Sequence, residues 1–257
     1  IRDLRCLVGS EMCIRDRGRI PGDWDITTSA HPEEVKQVFG HTIDTGLQHG
    51  TVTVMRDHIG YEITTYRIDG EYEDGRHPKE VVFTAELRED LRRRDFTINA
   101  MAYSHETGIV DIFGGAEDLA ARRIRCVGDA GERFTEDALR ILRAVRFSAQ
   151  LGFSIEKKTW QALCELAPSL VHVSKERVQV ELTKTLLSDR PEFIWKTEAA
   201  GLAPYISKTF PEVFAAWKKR KSCAMQSLEE KVCSKDVPAA DKDAIKTETV
   251  AQQGHMF

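Results

Sequence analysis

Two aspartates one residue apart, Asp23 and Asp25, stand just ahead of the β-branched run Ile26-Thr27-Thr28. On an extended chain residues i and i+2 project from the same face, so the two carboxylates converge. Carboxylates held together repel unless a cation lies between them, and Mg2+, a hard ion that favours oxygen ligands, suits such a pair. Glu62, inside the strand-like run Tyr61–Arg67, is the candidate third carboxylate on a neighbouring strand. Metal ions about 3.5–4 Å apart in such a site activate an attacking hydroxyl and stabilise a leaving group. A lone D-x-D is weak evidence, and after Pro21-Gly22 the same aspartates also read as turn residues.

A second candidate is Asp90-Leu91-Arg92-Arg93-Arg94-Asp95-Phe96-Thr97-Ile98-Asn99-Ala100. Planar guanidinium groups can grip triphosphate oxygens two at a time, and Asn99 can hydrogen-bond a ribose hydroxyl. The competing reading is a solvated arginine run with Asp90 and Asp95 as counter-charges. Phe96, Ile98 and Met101 predict a segment anchored on a core. The third is Glu136-Asp137-Ala138-Leu139-Arg140-Ile141-Leu142-Arg143. Leu139, Leu142 and Val145 form an apolar stripe at helical spacing, with Asp137 and Arg140 three apart on another face. An acceptor beside a multiple donor can address the edge of a nucleobase. Taken alone, the same pair is a helix-surface ion pair of about 0.2–0.5 kcal/mol.

These segments need scaffolds. Short β-branched and aromatic runs at Ile26–Thr28, Thr51–Met55, Tyr61–Arg67 and Val81–Phe83 predict strands of one sheet, with a helix over Pro32–Phe39. The Gly, Asp and Glu-rich stretch Asp69–Lys79 predicts a mobile loop. After about Arg125 the pattern turns helical: Glu136–Leu151 closed by Gly152, Lys157–Leu166 stopped by Pro168, and Lys175–Leu187 behind Ser174 as N-cap. A strand-rich front and helical back predict an α+β domain followed by an all-α one. Arg5–Arg17 has neither helical nor strand periodicity, Ile-Arg-Asp occurs at both Ile1 and Ile14, and the chain beyond Trp217 reads as a polar tail.

The bulk properties agree with a globular chain. Its 257 residues are long enough for a sizeable core, and 41% hydrophobic with 30% charged residues excludes collagen-like or wholly disordered protein. No apolar run approaches the roughly 20 residues of a membrane span, so no membrane partner and a cytoplasmic location are expected. Six cysteines without C-x-x-C or zinc-ligand spacing predict free thiols. A net charge of −4 speaks against a generic polyanion binder, yet Ala120–Gln150 carries seven arginines against four acidic residues.

In this order the segments resemble the class II tRNA nucleotidyltransferases, the bacterial CCA-adding enzymes, which share a head with bacterial poly(A) polymerases. The resemblance runs from about Gly18 to Tyr205. It implies a nucleotidyltransferase head, with a mixed β-sheet and flanking helices, followed by an all-α neck and body. Asp23 and Asp25 resemble the family's metal-binding pair, with Glu62 joining them as catalytic, and Mg2+ is the implied cofactor. Arg92, Arg94, Asp95 and Asn99 resemble its ribose and triphosphate motif. Glu136, Asp137 and Arg140 resemble the E-D-x-x-R motif that selects CTP or ATP without a nucleic-acid template, and Arg143 is expected beside them as nucleotide-binding. Asp111-Ile112-Phe113-Gly114-Gly115 with Asp118-Leu119 resembles the hinge between head and neck. Ser174-Lys175-Glu176-Arg177 with Glu181 resembles the last motif, implied to be architectural, and Glu136 shares that structural role.

Gly46–Val54 looks like the CCA-adding version, and Asp69–Pro78 resembles a flexible loop that enzymes adding only CC lack. No Gly-Gly precedes the aspartates. Excising Arg5–Arg17 nearly restores the family's spacing, so residues 1–17 are expected to be a non-native or disrupted start. The expected divisions are a head over 18–125, a neck over 126–190, and a partial body with tail over 191–257, the chain being shortened at both ends. The expected activity is addition of CCA to the 3′ end of tRNA from CTP and ATP. The alternatives are a poly(A) polymerase or A-adding enzyme, and an inactive tRNA-binding remnant.

Overall fold

The computed structural model describes residues 4–8, 25–70, 81–212 and 215. Asp23, positions 71–79 of the loop expected over Asp69–Lys79, most of the expected intrusion at Arg5–Arg17 and the tail beyond Trp217 lie outside the described residues, while Asp69 ends a strand. The chain divides into two units, 1–206 and 207–257. In the second, the described part opens with a turn in which Phe210 N donates to Ser207 Oγ at 3.1 Å.

The first unit begins with β1 (Leu4–Val8) and β2 (Ile26–Thr28), then α1 (Pro32–Val38), β3 (Thr42–Gly46), β4 (Thr51–Arg56) and β5 (Ile59–Thr65). After β6 (Arg67–Asp69), β7 (Val81–Phe83) and α2 (Leu87–Arg92), the chain returns to the sheet with β8 (Met101–Ser104) and β9 (Gly108–Asp111). Seven strands form one sheet in the order β3-β4-β5-β2-β1-β8-β9. β2 and β5 run parallel and the other neighbours antiparallel, so the sheet is mixed.

Three expectations are corrected here. Leu4–Val8 is a strand within the sheet, paired to β2 and β8, although Arg5–Arg17 lacks strand periodicity; neighbours on both sides supply the hydrogen bonds that local pattern does not announce. β6 and β7 leave the main sheet for a two-stranded sheet of their own. The expected strand Tyr61–Arg67 is therefore broken at Tyr66, a fully buried side chain whose N–H donates to Thr28 O at 2.8 Å.

α1 begins with Pro32 in its first turn, and Glu34 accepts from His31 N at 2.7 Å. Its Val35 packs on Val52, Val54 and Ile63, with Ile26, Ala30 and Phe39 around them. Each such side chain contributes about 1.5–3 kcal/mol on full burial. The other face of β4 and β5 is hydroxylic: Thr51 and Thr64 pair at 3.1 Å, and Thr53 pairs with Thr45 of β3 at 2.9 Å.

Beyond β9 the chain runs through α3 (Gly115–Ala120), β10 (Arg123–Ile124), α4 (Ala130–Glu136), α5 (Leu139–Leu151), β11 (Ser154–Ile155) and α6 (Lys157–Glu165). A 3-10 segment over Ala167–His172 precedes α7 (Lys175–Leu186), α8 (Trp195–Ala199) and α9 (Ala203–Ile206). Gly115 meets the 3-10 turn Thr97–Asn99 so closely that a Cβ would collide with Thr97 O. Asp111 receives Gly115 N and Ala116 N at 2.8 and 2.9 Å, starting α3. The expected N-cap Ser174 accepts from Arg177 N, and Gly152 ends α5 in the left-handed region at φ 69°.

The helix expected over Glu136–Leu151 starts later: Glu136 ends α4, and α5 begins at Leu139. Asp137, at φ −144° and ψ 104°, interrupts them, and its Oδ1 accepts Leu139 N at 3.0 Å. A short acidic side chain that can bond the backbone two residues on is suited to such a break. Asp137 and Arg140 therefore do not share one helix face, because Asp137 is the joint and only Arg140 is on the helix. Among the described residues no helix is long and apolar enough to cross a membrane, and Cys126 and Cys164 are free thiols.

Candidate active site

The carboxylate site lies on the hydroxylic face. Ile26 of β2 and Ile63 of β5 are direct partners in parallel register, so Asp25 and Glu62 each stand one residue before that pair. Ile26 and Ile63 face the core under α1, and alternation turns Asp25 and Glu62 the other way. Both are exposed. Asp25 precedes the strand rather than lying on it, since β2 starts at Ile26. Among the described residues no group of three or more His, Cys, Asp or Glu is placed to hold a metal. Two exposed oxygen donors at one level of adjacent strands nonetheless match the chemistry of a hard divalent cation.

The second site is a cleft of about 250 Å³ lined by Arg93, Arg94 and Asp95 on one side, and by Asp137, Leu139, Arg140, Arg143 and Arg177 on the other. Five arginines against two aspartates make it cationic. The first three leave the C-terminal end of α2, whose Asp90 is fully buried. Asp90 receives Arg93 Nε and Nη2 at 3.0 and 2.8 Å, Arg94 Nη2 at 3.4 Å and Arg67 N at 3.3 Å. Burial pushes the Asp90 carboxyl up, and the charges of Arg93 and Arg94 outweigh it, leaving it below the usual carboxylate range. Asp90 is thus the counter-charge considered from sequence, but for arginines that line a cleft. Arg94 Nε is buried with no hydrogen-bond partner among the described residues, a donor whose need an anionic ligand would meet. Burial lowers the Arg94 pKa, opposed by Asp90 and, more weakly, by Asp25.

Asp95 is buried and its oxygens are committed internally: Phe96 N at 2.8 Å, Asn99 Nδ2 at 3.1 Å, and Arg143 Nε and Nη2 at 2.7 and 2.6 Å. Burial pushes its carboxyl up, and Arg143 followed by Asn99 more than reverse that. The same contact holds the Arg143 pKa above its ordinary value against the opposing effect of burial. Phe96, Ile98 and Met101 are fully buried, so the anchoring expected of them is present.

Arg140 donates to Glu136 Oε2 at 2.6 Å, Arg133 O at 3.0 Å and Arg93 O at 2.9 Å. Glu136 also pairs with Arg133 at 2.5 Å, and Arg133 reaches Arg92 O at 3.1 Å. Two guanidinium groups therefore cap the C-terminal carbonyls of α2. Glu181 holds Arg146 at 2.6 Å in a buried pair.

Three site expectations shift. Arg92 does not line the cleft; its side chain is two-thirds exposed, 4.0 Å from Glu89. Arg93 does line it, because the chain leaves α2 after Arg92 and turns the next two side chains inward. Arg177, expected to be architectural, lines the cleft and donates to Asp137 Oδ2 at 2.8 Å; its distance of 40 residues from Asp137 hid the contact. The arginines of Ala120–Gln150 are largely matched by carboxylates, although Arg140 and Arg143 still line the cleft. Six of those seven arginines pair with carboxylates: Arg123 and Arg125 with Asp118, Arg133 and Arg140 with Glu136, Arg143 with Asp95, and Arg146 with Glu181.

The poly(A) polymerase head domain family matches residues 7–125, and the probable RNA and SrmB-binding site of polymerase A matches residues 152–210. The first match begins at Leu7, ahead of the Gly18 where the resemblance was expected to start. A curated CCA-adding enzyme of Leuconostoc mesenteroides is 55% identical over 173 residues, which cover 67% of this chain and 43% of that protein. That of Enterococcus faecalis is 49% identical over 184 residues, covering 72% and 44%. A solved structure, the Bacillus stearothermophilus CCA-adding enzyme in complex with CTP, superposes with a TM-score of 0.71 at 43% identity, covering 79% of this chain and 49% of that one. The chain spans about half the length of the curated relatives it matches. With matched families over both regions, a nucleotidyltransferase head and these relatives, the chain belongs to the class II tRNA nucleotidyltransferase and poly(A) polymerase family.

Proposed function

We propose that this protein adds CCA to the 3′ end of tRNA, taking CMP twice from CTP and AMP once from ATP without a template. The observation that carries the reading is the cationic cleft, in which the head's Arg93, Arg94 and Asp95 meet the neck's Asp137, Arg140 and Arg143. One side offers donors for a triphosphate and the other an acceptor and donor set for a base. The likeness to a CTP-bound CCA-adding enzyme supports the same assignment.

Asp25 and Glu62, with Asp23, would hold Mg2+, whose charge favours ionisation of the tRNA 3′-hydroxyl and offsets charge on the leaving pyrophosphate. Arg93 and Arg94 would hold the phosphates, and Asn99, fixed by Asp95, would face the sugar. Asp137 and Arg140 would read the base, with Arg143 steadying the sugar-side motif through Asp95. The hydroxyl oxygen bonds to the α-phosphorus as pyrophosphate leaves, so the protein's work is positioning and charge neutralisation. Residues 18–125 would serve as head, 126–190 as neck and 191–257 as a partial body and tail.

The test supplies the purified chain and Mg2+ with tRNA ending at the discriminator base, tRNA ending in CC, or unstructured RNA, and sizes products with CTP, ATP or both. Addition of CCA to the first and A to the second is expected. Long A tails on unstructured RNA would make it a poly(A) polymerase, and no addition would leave a tRNA-binding remnant.

A further inference from the structure

We infer that Arg177, at the start of α7, is a positioning residue that sets nucleotide choice through Asp137. The inference rests on the proposed reading of Asp137 as a base-facing acceptor. Asp137 is the non-helical joint between α4 and α5, with no helix of its own to fix its side chain. Its carboxylate has two anchors. Oδ1 accepts Leu139 N at 3.0 Å, and Oδ2 accepts Arg177 Nη2 at 2.8 Å. The first bond ties one oxygen to the adjacent backbone and the second ties the other to α7, so the lone pairs left to face the cleft are set with Arg177 in place.

Arg177 is itself held in register. Ser174 caps α7 just before it. One turn later on the same face, Glu181 grips Arg146 of α5 at 2.6 Å in a buried pair. α7 therefore cannot slide along α5 without breaking that pair, and Arg177 stays over Asp137. Arg140, by contrast, holds Glu136 and two main-chain carbonyls. The carboxylate orientation set from α7 thus determines whether an exocyclic amino group, on cytosine or adenine, finds an acceptor at the right height. A guanidinium that merely braced the helices would alter stability and leave the ranking of nucleotides untouched.

The test is a double-substitution cycle read by equilibrium binding of CTP, ATP and UTP to the full chain with Mg2+, with thermal unfolding of each variant alongside. In the parent background Arg177→Ala should shrink the preference for CTP over UTP by about tenfold, the size of one charge-assisted hydrogen bond. Arg177→Lys should recover part of it, and carries the test if the alanine variant does not fold. In an Asp137→Ala background Arg177→Ala should change the preference less than about twofold, because the two act as one unit. Equal effects in both backgrounds, or an unchanged preference in the parent background, would overturn the inference while leaving the proposed function standing. A parent chain that binds none of the three nucleotides would overturn both.

Discussion

The two sites use acidic residues in opposite ways. On the open sheet face, Asp25 and Glu62 are exposed, and their side chains make no ion pair with another described residue. At and behind the cleft Asp95 and Asp90 are buried, as are Asp118 and Glu181 elsewhere in the fold, and each is gripped by at least one arginine. A carboxylate already satisfied by guanidinium groups cannot also ligate a cation, while one left at the surface can. The difference separates carboxylates available to ligands from those that hold the donors in place, and it predicts which substitutions damage chemistry and which damage the fold.

The largest effect is expected from Asp25→Ala. Nucleotide incorporation should fall at least about a hundredfold, the scale of losing a group that stabilises developing charge. Its urea midpoint should match the parent's; a large loss of stability would break the comparison. Asp118→Ala is the converse. Asp118 is fully buried and accepts from Thr97 Oγ1 at 2.6 Å, Arg123 Nε at 2.5 Å and Arg125 Nε at 2.7 Å. Burial pushes its carboxyl up, and those three hydrogen bonds more than offset it. Removing it should cost about 1–3 kcal/mol in chemical denaturation, since the buried Thr97 hydroxyl loses its acceptor, while Arg123 and Arg125, each about a third exposed, can turn to water. Because folding lowers its pKa, this carboxylate stabilises the protein above its unfolded pKa, and that contribution disappears as pH falls through the folded value. Asp118→Asn should therefore flatten part of the acid unfolding curve.

A smaller effect tests burial of a cation without a carboxylate. Lys196 Nζ donates to Ser148 Oγ at 2.6 Å and lies 3.9 Å from the Phe193 ring centre, and burial pushes its amine down to about 8. Below that value both folded and unfolded states are protonated, and the burial penalty is fully present. Between there and the ordinary value of 10.5 the unfolded state binds more protons, so stability rises with pH. The urea midpoint should increase from about pH 7.5 to about pH 9.5 in the parent, and Lys196→Met should remove that increment. The smallest effect belongs to Arg92→Ala, expected within about 0.5 kcal/mol of the parent in stability and within about twofold in activity. A large loss in incorporation would return Arg92 to the cleft.

Much of this was legible along the chain. Pro32, Glu33 and Glu34 announced α1, Ser174 announced α7, and Gly152 closed α5, because capping chemistry is local. The alternation of Val52 and Val54 with Thr51 and Thr53 separated the core face of β4 from its hydroxylic face. Asp25, Glu62, Arg94, Asp95, Asp137 and Arg140 were all singled out from residue type and spacing. Less legible were the strand Leu4–Val8, whose neighbours are distant in sequence, and the break at Asp137, where apolar periodicity runs on through a joint. The charge of Ala120–Gln150 was legible only in sum, because a count of arginines does not say which of them face a carboxylate and which line the cleft.

The sequence by itself determined the elements, the chemical groups and the family, since caps, periodicities and motif order are properties of neighbouring residues. Only the tertiary structure decided which group serves which site. It set Asp25 level with Glu62 through a parallel pairing of strands more than 30 residues apart, turned Arg93 rather than Arg92 into the cleft, and brought Arg177 across 40 residues to Asp137. Those outcomes depend on how faces pack and which charges can be buried together, and such long-range terms have no signature in local spacing.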